Sequence, residues 1–390
     1  MTILDTAIVE GAEPLDARLR GVSGPRPQSA SRWTARMRLA LGLSPTPRPG
    51  LVLIPLGMAL GPHGLGVLSN SVLTTLDPAV AVALAALGTF VGLGLNPRWP
   101  RTVVLLTAAT VEAGVTLAMV GAGILAIHAL SPTMDGTPWL LAIMLGICAA
   151  PSSTADGARR THLKRARRIG DLDDVLPIIA GLLALTAIRQ ASPQAIALLS
   201  GQALLLALTI AVAGWLLVSR TSSVTEERVF AIGALLLLGG SAAYLSLSAV
   251  FAGFIAGLFW QASGTDTRDR MTRDLGYLQH PLIALLLIVA GARVRPSLDV
   301  AGLALAYLVC RTAGKLIGGW IASAITRGEA HRDLGLSLMS PGIVGIAFAL
   351  NVVQARGDAD NTTALFAIVI AGSLASDLIS LVTPPGERPA

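Results

Sequence analysis

Apolar runs of about twenty residues recur from residue 50 to residue 383, separated by short polar or basic connections. A run of that length crosses a hydrocarbon core of about 30 Å as a helix. In lipid, only helices and closed barrels satisfy all of their own backbone polar groups. The 390-residue chain is 53% hydrophobic and 13% charged, a balance that excludes an ordinary soluble domain. The pattern predicts an all-α polytopic membrane protein of about twelve transmembrane helices. Their approximate limits are 50–68, 76–95, 102–130, 138–154, 172–188, 194–219, 229–246, 247–262, 278–292, 300–325, 333–353 and 362–383. The boundary between the seventh and eighth spans is the least sharply marked. The 41 glycines fit close helix packing and interrupted helices.

Residues 1–49 are rich in Pro, Arg, Ser and Gly and have no apolar core, so they read as a disordered basic cytoplasmic tail. No signal-peptide pattern opens the chain. Residues 50–385 read as one transmembrane domain and 386–390 as a short cytoplasmic tail. With the N-terminus inside, 23 of the Lys and Arg residues fall on the cytoplasmic side and four on the other. That bias supports twelve spans with both termini cytoplasmic. It also accounts for the net charge of +6 without any nucleic-acid partner.

Of the 29 basic residues, only Lys164 and Lys315 are lysines. Lys315 lies within the tenth span, about ten residues from its cytoplasmic end, or roughly 15 Å at helical rise. A lysine near a helix end snorkels to the surface, but this one is too deep for that reading. Arginine stays protonated in proteins, whereas a desolvated lysine can give up its proton. An ionisable residue at membrane depth marks a functional site.

Two spans are broken. The fourth reads Ile147-Cys148-Ala149-Ala150-Pro151-Ser152-Ser153-Thr154, and the eleventh Leu338-Met339-Ser340-Pro341-Gly342-Ile343. Proline removes a backbone donor and glycine lowers helix propensity, so each span unwinds there. A single such break reads as an ordinary proline kink. Here spans three to five start inside, spans ten to twelve start outside, and each triplet has its broken helix second. That is an inverted-topology repeat with a site where the two unwound helices cross. Pro151, Ser153, Thr154, Ser340, Pro341 and Gly342 are the expected crossing residues.

Other intramembrane charges are few. Asp173 and Asp174 open the fifth span, just before Pro177. Adjacent carboxylates can hold a hard monovalent cation or carry a proton instead. The competing reading is a helix N-terminus complemented by acidic residues, with Pro177 in its first turn. Glu112 lies near the middle of span three, and Arg311 lies one turn from Lys315 on the same face. Glu112 and Arg311 read as an intramembrane ion pair, with Glu112–Lys315 an equal alternative. Asp377 reads as a helix-boundary residue. Cys148 and Cys310 read as small core residues, with no disulfide and no metal site. There is no HExxH, nucleophile elbow or phosphate loop, so an enzyme is not expected, and no cofactor is expected either.

Six segments in order, from about residue 50 to 383, resemble prokaryotic cation:proton antiporters of the sodium/hydrogen exchanger type. They are Gly57 to Gly66, Leu87 to Leu95, Pro151 to Asp156, Asp173-Asp174-Val175-Leu176, Leu286 to Val294, and Gly314-Lys315-Leu316-Ile317-Gly318-Gly319-Trp320. The chain departs from the family in Pro177, where the family usually has glycine, and in the short basic stretch before the aspartates. The resemblance implies exchange of Na⁺ or K⁺ for H⁺ across a bacterial plasma membrane, and a homodimer. It also implies that Asp174 binds cation or proton, and that Asp173 pairs with Lys315 when no cation is bound. The alternatives are an organic-anion or bile-acid type symporter with similar crossed helices, and a non-transporting membrane scaffold or sensor.

Overall fold

The computed structural model describes residues 49–95, 102–130, 138–153, 168–190, 192–221, 223–295, 297, 300–326, 334–356 and 360–382. Most of the tail, Thr154, the basic loop up to residue 167 and residues 386–390 therefore lie outside the described residues. The elements are helices throughout. They are α1 Pro49–Leu60, α2 Asn70–Thr75, α3 Asp77–Gly94, α4 Thr102–Leu130, α5 Pro138–Ala149, α6 Val175–Arg189 and α7 Pro193–Arg220. There follow α8 Val224–Tyr244, α9 Ala249–Ala262, α10 Thr265–Arg293, α11 Ala301–Ile325, α12 Leu334–Ser337, α13 Ile343–Arg356 and α14 Asp360–Val382. Each of the twelve expected spans overlaps one of these helices, except the eleventh, which holds both α12 and α13. The uncertain division between the seventh and eighth spans falls between Tyr244 and Ala249.

Seven of the helices, namely α3, α4, α7, α8, α10, α11 and α14, are long and apolar enough to cross a membrane. The shorter apolar helices α1, α5, α9 and α13 complete a multi-pass arrangement. Large apolar side chains face outward along these helices. Leu205 on α7 and Leu305 on α11 are 68% and 62% exposed, which suits contact with lipid tails rather than water.

Two helices differ most from their expected limits. The first span is helical only to Leu60, because Gly61-Pro62 ends it and Gly66 takes a left-handed φ of 71° in the turn that follows. The ninth begins at Thr265, well before residue 278. Its polar first half lacks the apolar signal of a span, yet it is fastened to α8 by ion pairs. Arg270 and Arg273 lie 2.6 and 2.9 Å from the two oxygens of buried Glu227, and Arg228 on α8 lies 3.5 Å from buried Asp274.

Both broken spans unwind where the prolines stand. α5 ends at Ala149 and the chain runs on non-helically through Ser153; α12 ends at Ser337 and helix resumes only at Ile343. The two unwound segments meet as an isolated antiparallel β-bridge between Ser152 and Pro341. The Ser153 amide donates to the Ser340 carbonyl at 3.0 Å, and the Gly342 amide to the Pro151 carbonyl at 3.0 Å. Backbone groups that lost their helical partners thus satisfy one another, as membrane depth requires.

The first helices of the two triplets, α4 and α11, pack face to face. Glycines make this approach possible. A Cβ on Gly314 would lie 2.8 Å from the Thr116 Cα, and one on Gly318 2.9 Å from the Glu112 carbonyl oxygen. Backbone this close admits only glycine, the small-residue mode of membrane helix packing. Gly318→Ala should therefore lower stability by about 1–3 kcal/mol through overpacking. Gly233→Ala on α8, where an added Cβ meets nothing within 4 Å, should be neutral or gain up to about 1 kcal/mol. Thermal unfolding of the purified variants in detergent compares them; equal melting of the two would contradict this packing.

Candidate functional site

The close α4–α11 contact sets the position of Lys315. Its side chain is fully buried, as are those of Glu112 and Asp173. The ammonium lies 3.0 Å from Glu112 Oε1, 3.2 Å from Glu112 Oε2 and 3.4 Å from Asp173 Oδ2. It also donates to the Ala150 carbonyl on the unwound end of α5. The Thr116 hydroxyl, one turn along α4, donates to Glu112 Oε1 at 3.3 Å. Taking an ammonium and carboxylates out of water costs several kcal/mol each, which only close pairing and added hydrogen bonds offset. Lys315 has both.

Arg311 does something else. The sequence left Arg311 and Lys315 as equal partners for Glu112; the structure gives Glu112 to Lys315. The Arg311 guanidinium is 1% exposed and is spread over three backbone carbonyls. Nε donates to Ala149 O at 3.1 Å, Nη1 to Met339 O at 2.7 Å and Nη2 to Pro151 O at 3.3 Å. Helix C-termini carry partial negative charge and unpaired carbonyls. A planar fork with five donors can serve both broken helices at once, which a lysine cannot do. One turn separates the two cations, yet their tasks differ because Arg311 faces the crossing and Lys315 faces Glu112.

Asp173 and Asp174 stand at a break in their own helix. Residues 168–172 are helical, 173 and 174 form a turn, and α6 begins at Val175. Pro177 has no N–H to give the Asp173 carbonyl four residues back, so the helix loosens at this point. Glycine would loosen it by lower propensity. Asp173 turns to the crossing, where both the amide and the hydroxyl of Ser152 donate to it, the amide at 3.4 Å. Asp174 occupies the N-cap position of α6, with Pro177 in the first turn as the helix-terminus reading expects, but its side chain caps no amide. Its Oδ1 is buried and has no hydrogen-bond partner. An apolar cavity of about 650 Å³ between α6, α7 and α9 reaches Leu172 and Val175, the neighbours of the pair on either side.

The described crossing residues, Pro151, Ser153, Ser340, Pro341 and Gly342, fall together. The Ser153 hydroxyl lies 2.9 Å from the Ser340 hydroxyl and donates to the Pro341 carbonyl at 3.1 Å. Gly342 packs on Pro151, where a Cβ would lie 2.9 Å from the proline Cβ. Three residues of the site escaped the sequence reading. Ser152 carries no spacing signal and is identified only by what it touches, whereas Thr116 lies at i,i+4 from Glu112 and was legible from helical spacing. Asp377, read as a boundary residue, is 7% exposed and accepts a hydrogen bond from Ser340 Oγ at 3.0 Å. Its place five residues before the end of α14 misled, because Ser376 and Asp377 stay buried that close to the helix end. Among the described residues no cluster suited to a metal ion is present.

No protein-family model matches the chain, and no curated protein sequence matches it. Among solved structures, the sodium proton antiporter MjNhaP1 from Methanocaldococcus jannaschii, at pH 8, is similar. The TM-score is 0.61, over 85% of this chain and 89% of that one, at 14% identity. The fold is that of a cation:proton antiporter. At that identity the likeness is one of architecture, so the site rests on its own geometry.

Lys315→Ala should cost about 3–5 kcal/mol, because it strands Glu112 and Asp173 as buried carboxylates. Adding Glu112→Gln should recover part of that loss, since it removes one of the stranded charges. Denaturation of the single and double variants gives the coupling. A double variant less stable by the sum of the two single effects would show that Glu112 and Lys315 act independently.

Proposed function

We propose that this protein exchanges a monovalent cation, Na⁺ or K⁺, for protons across a bacterial plasma membrane by alternating access. The observation that carries the reading is the contrast within the aspartate pair. Asp173 is fully engaged by Ser152 and Lys315, while Asp174 keeps a buried carboxylate oxygen without a partner. A buried ionised carboxylate needs compensation. Lys315 is shared by Glu112 and Asp173, and Arg311 is bonded to carbonyls, so neither cation is reserved for Asp174. A proton or a monovalent cation supplies the missing charge, and either one displaces the other.

The cycle follows from these contacts. With a proton on Asp174, the Lys315–Asp173 contact is intact and the site is neutralised. When Asp174 releases its proton, a cation takes its place. That cation also attracts Asp173 and competes with Lys315 for it. Lys315 is not left bare, because Glu112 and the Ala150 carbonyl still hold it. The unwound segments then move with their repeats, exposing the site to one side of the membrane and then the other. The bias of basic residues supports a cytoplasmic position for both termini, and the family resemblance implies a homodimer. An organic-anion symporter needs an uncommitted cation at the crossing, and both Lys315 and Arg311 are committed there.

The direct test is a pH-gradient assay in proteoliposomes, adding Na⁺, K⁺ and Li⁺ in turn. Wild type should dissipate the gradient with at least one cation. Asp174→Asn should fold and insert but lose the response, because an amide neither exchanges a proton nor supplies charge. Lys315→Arg should also lose it or be strongly impaired, since a guanidinium is bulkier and does not deprotonate. Normal exchange by a well-folded Asp174→Asn variant would remove Asp174 from the site.

A further inference from the structure

Asp377 repeats on the second broken helix what Asp173 does on the first. In each triplet the third helix supplies a buried carboxylate to a serine of its own unwound segment. Asp173 receives Ser152, and Asp377 receives Ser340 at 3.0 Å. Met339, next to Ser340, is held by Arg311 at 2.7 Å. Asp377 also lies against the start of α1, where a Cβ on Gly50 would sit 3.3 Å from its second oxygen. The helices packed against α14 are α11, α13, α5 and α1. Of their charged residues, Arg311 and Lys315 are on α11, and Arg356 is at the end of α13 farthest from Ser340. α1 and α5 carry none.

The two hydroxyls at the crossing have one hydrogen each. When Asp377 is ionised it takes the hydrogen of Ser340. Ser340 can then only accept from Ser153, 2.9 Å away, and the bonds run Ser153 to Ser340 to Asp377. When Asp377 carries a proton it can donate to Ser340 instead. Ser340 then donates to Ser153, and Ser153 to the Pro341 carbonyl at 3.1 Å. One proton on Asp377 thus reverses the hydrogen bonds that join the two unwound segments.

We infer that Asp377 is a positioning residue of the transport site, which acts through Ser340 and makes the crossing of the two repeats responsive to a second proton. This inference rests on the exchange reading above, where Asp174 carries the transported charge. Asp377 does not replace Asp174; it sets how the two repeats hold each other while Asp174 is loaded.

The test compares Asp377→Asn, Asp377→Glu and Ser340→Ala in the proteoliposome assay. Hydrogen exchange over residues 148–153 and 338–345, corrected for intrinsic rates, is measured beside it from mildly acidic to mildly basic pH. Asp377→Asn should keep cation-driven proton movement, with its maximal rate within about threefold of wild type. It should raise the half-saturating cation concentration about tenfold, the scale of one lost hydrogen bond to a charged group. It should also flatten the pH dependence of exchange at the crossing. Asp377→Glu should restore both, and Ser340→Ala should add nothing in the Asp377→Asn background. Unchanged half-saturation and unchanged pH dependence in Asp377→Asn would overturn the inference. So would equal loss in Asp377→Asn and Asp377→Glu, which marks a purely structural carboxylate. Wild type that moves no protons with any cation would overturn the exchange reading alone. The hydrogen-exchange comparison would still decide whether Asp377 governs the crossing.

Discussion

Carbonyls stranded deep within a helical membrane protein are the constraint on which this structure depends. The prolines at 151 and 341 open two helices where no water is at hand to replace lost hydrogen bonds. The structure answers in two ways. The unwound strands bond to one another across the Ser152–Pro341 bridge, and two cations from a single helix cover what remains. Arg311 takes the carbonyls of Ala149, Pro151 and Met339, and Lys315 takes that of Ala150. Buried cations at such a depth require carboxylates in turn, and Glu112 and Asp173 follow from that requirement. Asp174 is the group that this arrangement does not satisfy, and there the chemistry of exchange enters.

The division of labour between Arg311 and Lys315 follows from their shapes. A guanidinium is planar and permanently charged, which suits a fixed link between two broken helices. An ammonium is compact and can share itself among carboxylates whose occupancy changes. A chain that uses arginine almost everywhere has kept a lysine at the position that must respond to an arriving cation. Gly314 and Gly318 serve the same end, because only their lack of a side chain lets α11 come close enough for Lys315 to reach Glu112.

Much of this was legible in the sequence. The twelve spans, the two matched breaks and the isolation of Lys315 follow from hydropathy, proline chemistry and the scarcity of charge. The polar half of α10 was not legible, because its stability comes from Glu227 and Asp274 and the arginines that pair with them rather than from apolar length. The partner of Glu112 was open because Arg311 and Lys315 lie one turn apart on one face, and helical spacing cannot decide which of two neighbours points where. Asp377 was misread because distance from a helix end stood in for burial. Ser152 and Thr116 were missed for different reasons. Ser152 has no signature until the chain brings Asp173, 21 residues on, to it, whereas Thr116 sat at helical spacing from Glu112 and was passed over because a lone threonine in an apolar helix is common.

The central claim is that one buried carboxylate, Asp174, holds either a proton or a cation and never both. Calorimetric titration of the purified protein with Na⁺ or K⁺, in two buffers of different ionisation enthalpy, tests it without any transport. The account predicts that the heat of cation binding shifts with the buffer by the amount expected for release of about one proton per cation, and that Asp174→Asn removes this proton release. Cation binding whose heat does not depend on the buffer, or proton release that persists in Asp174→Asn, would contradict it.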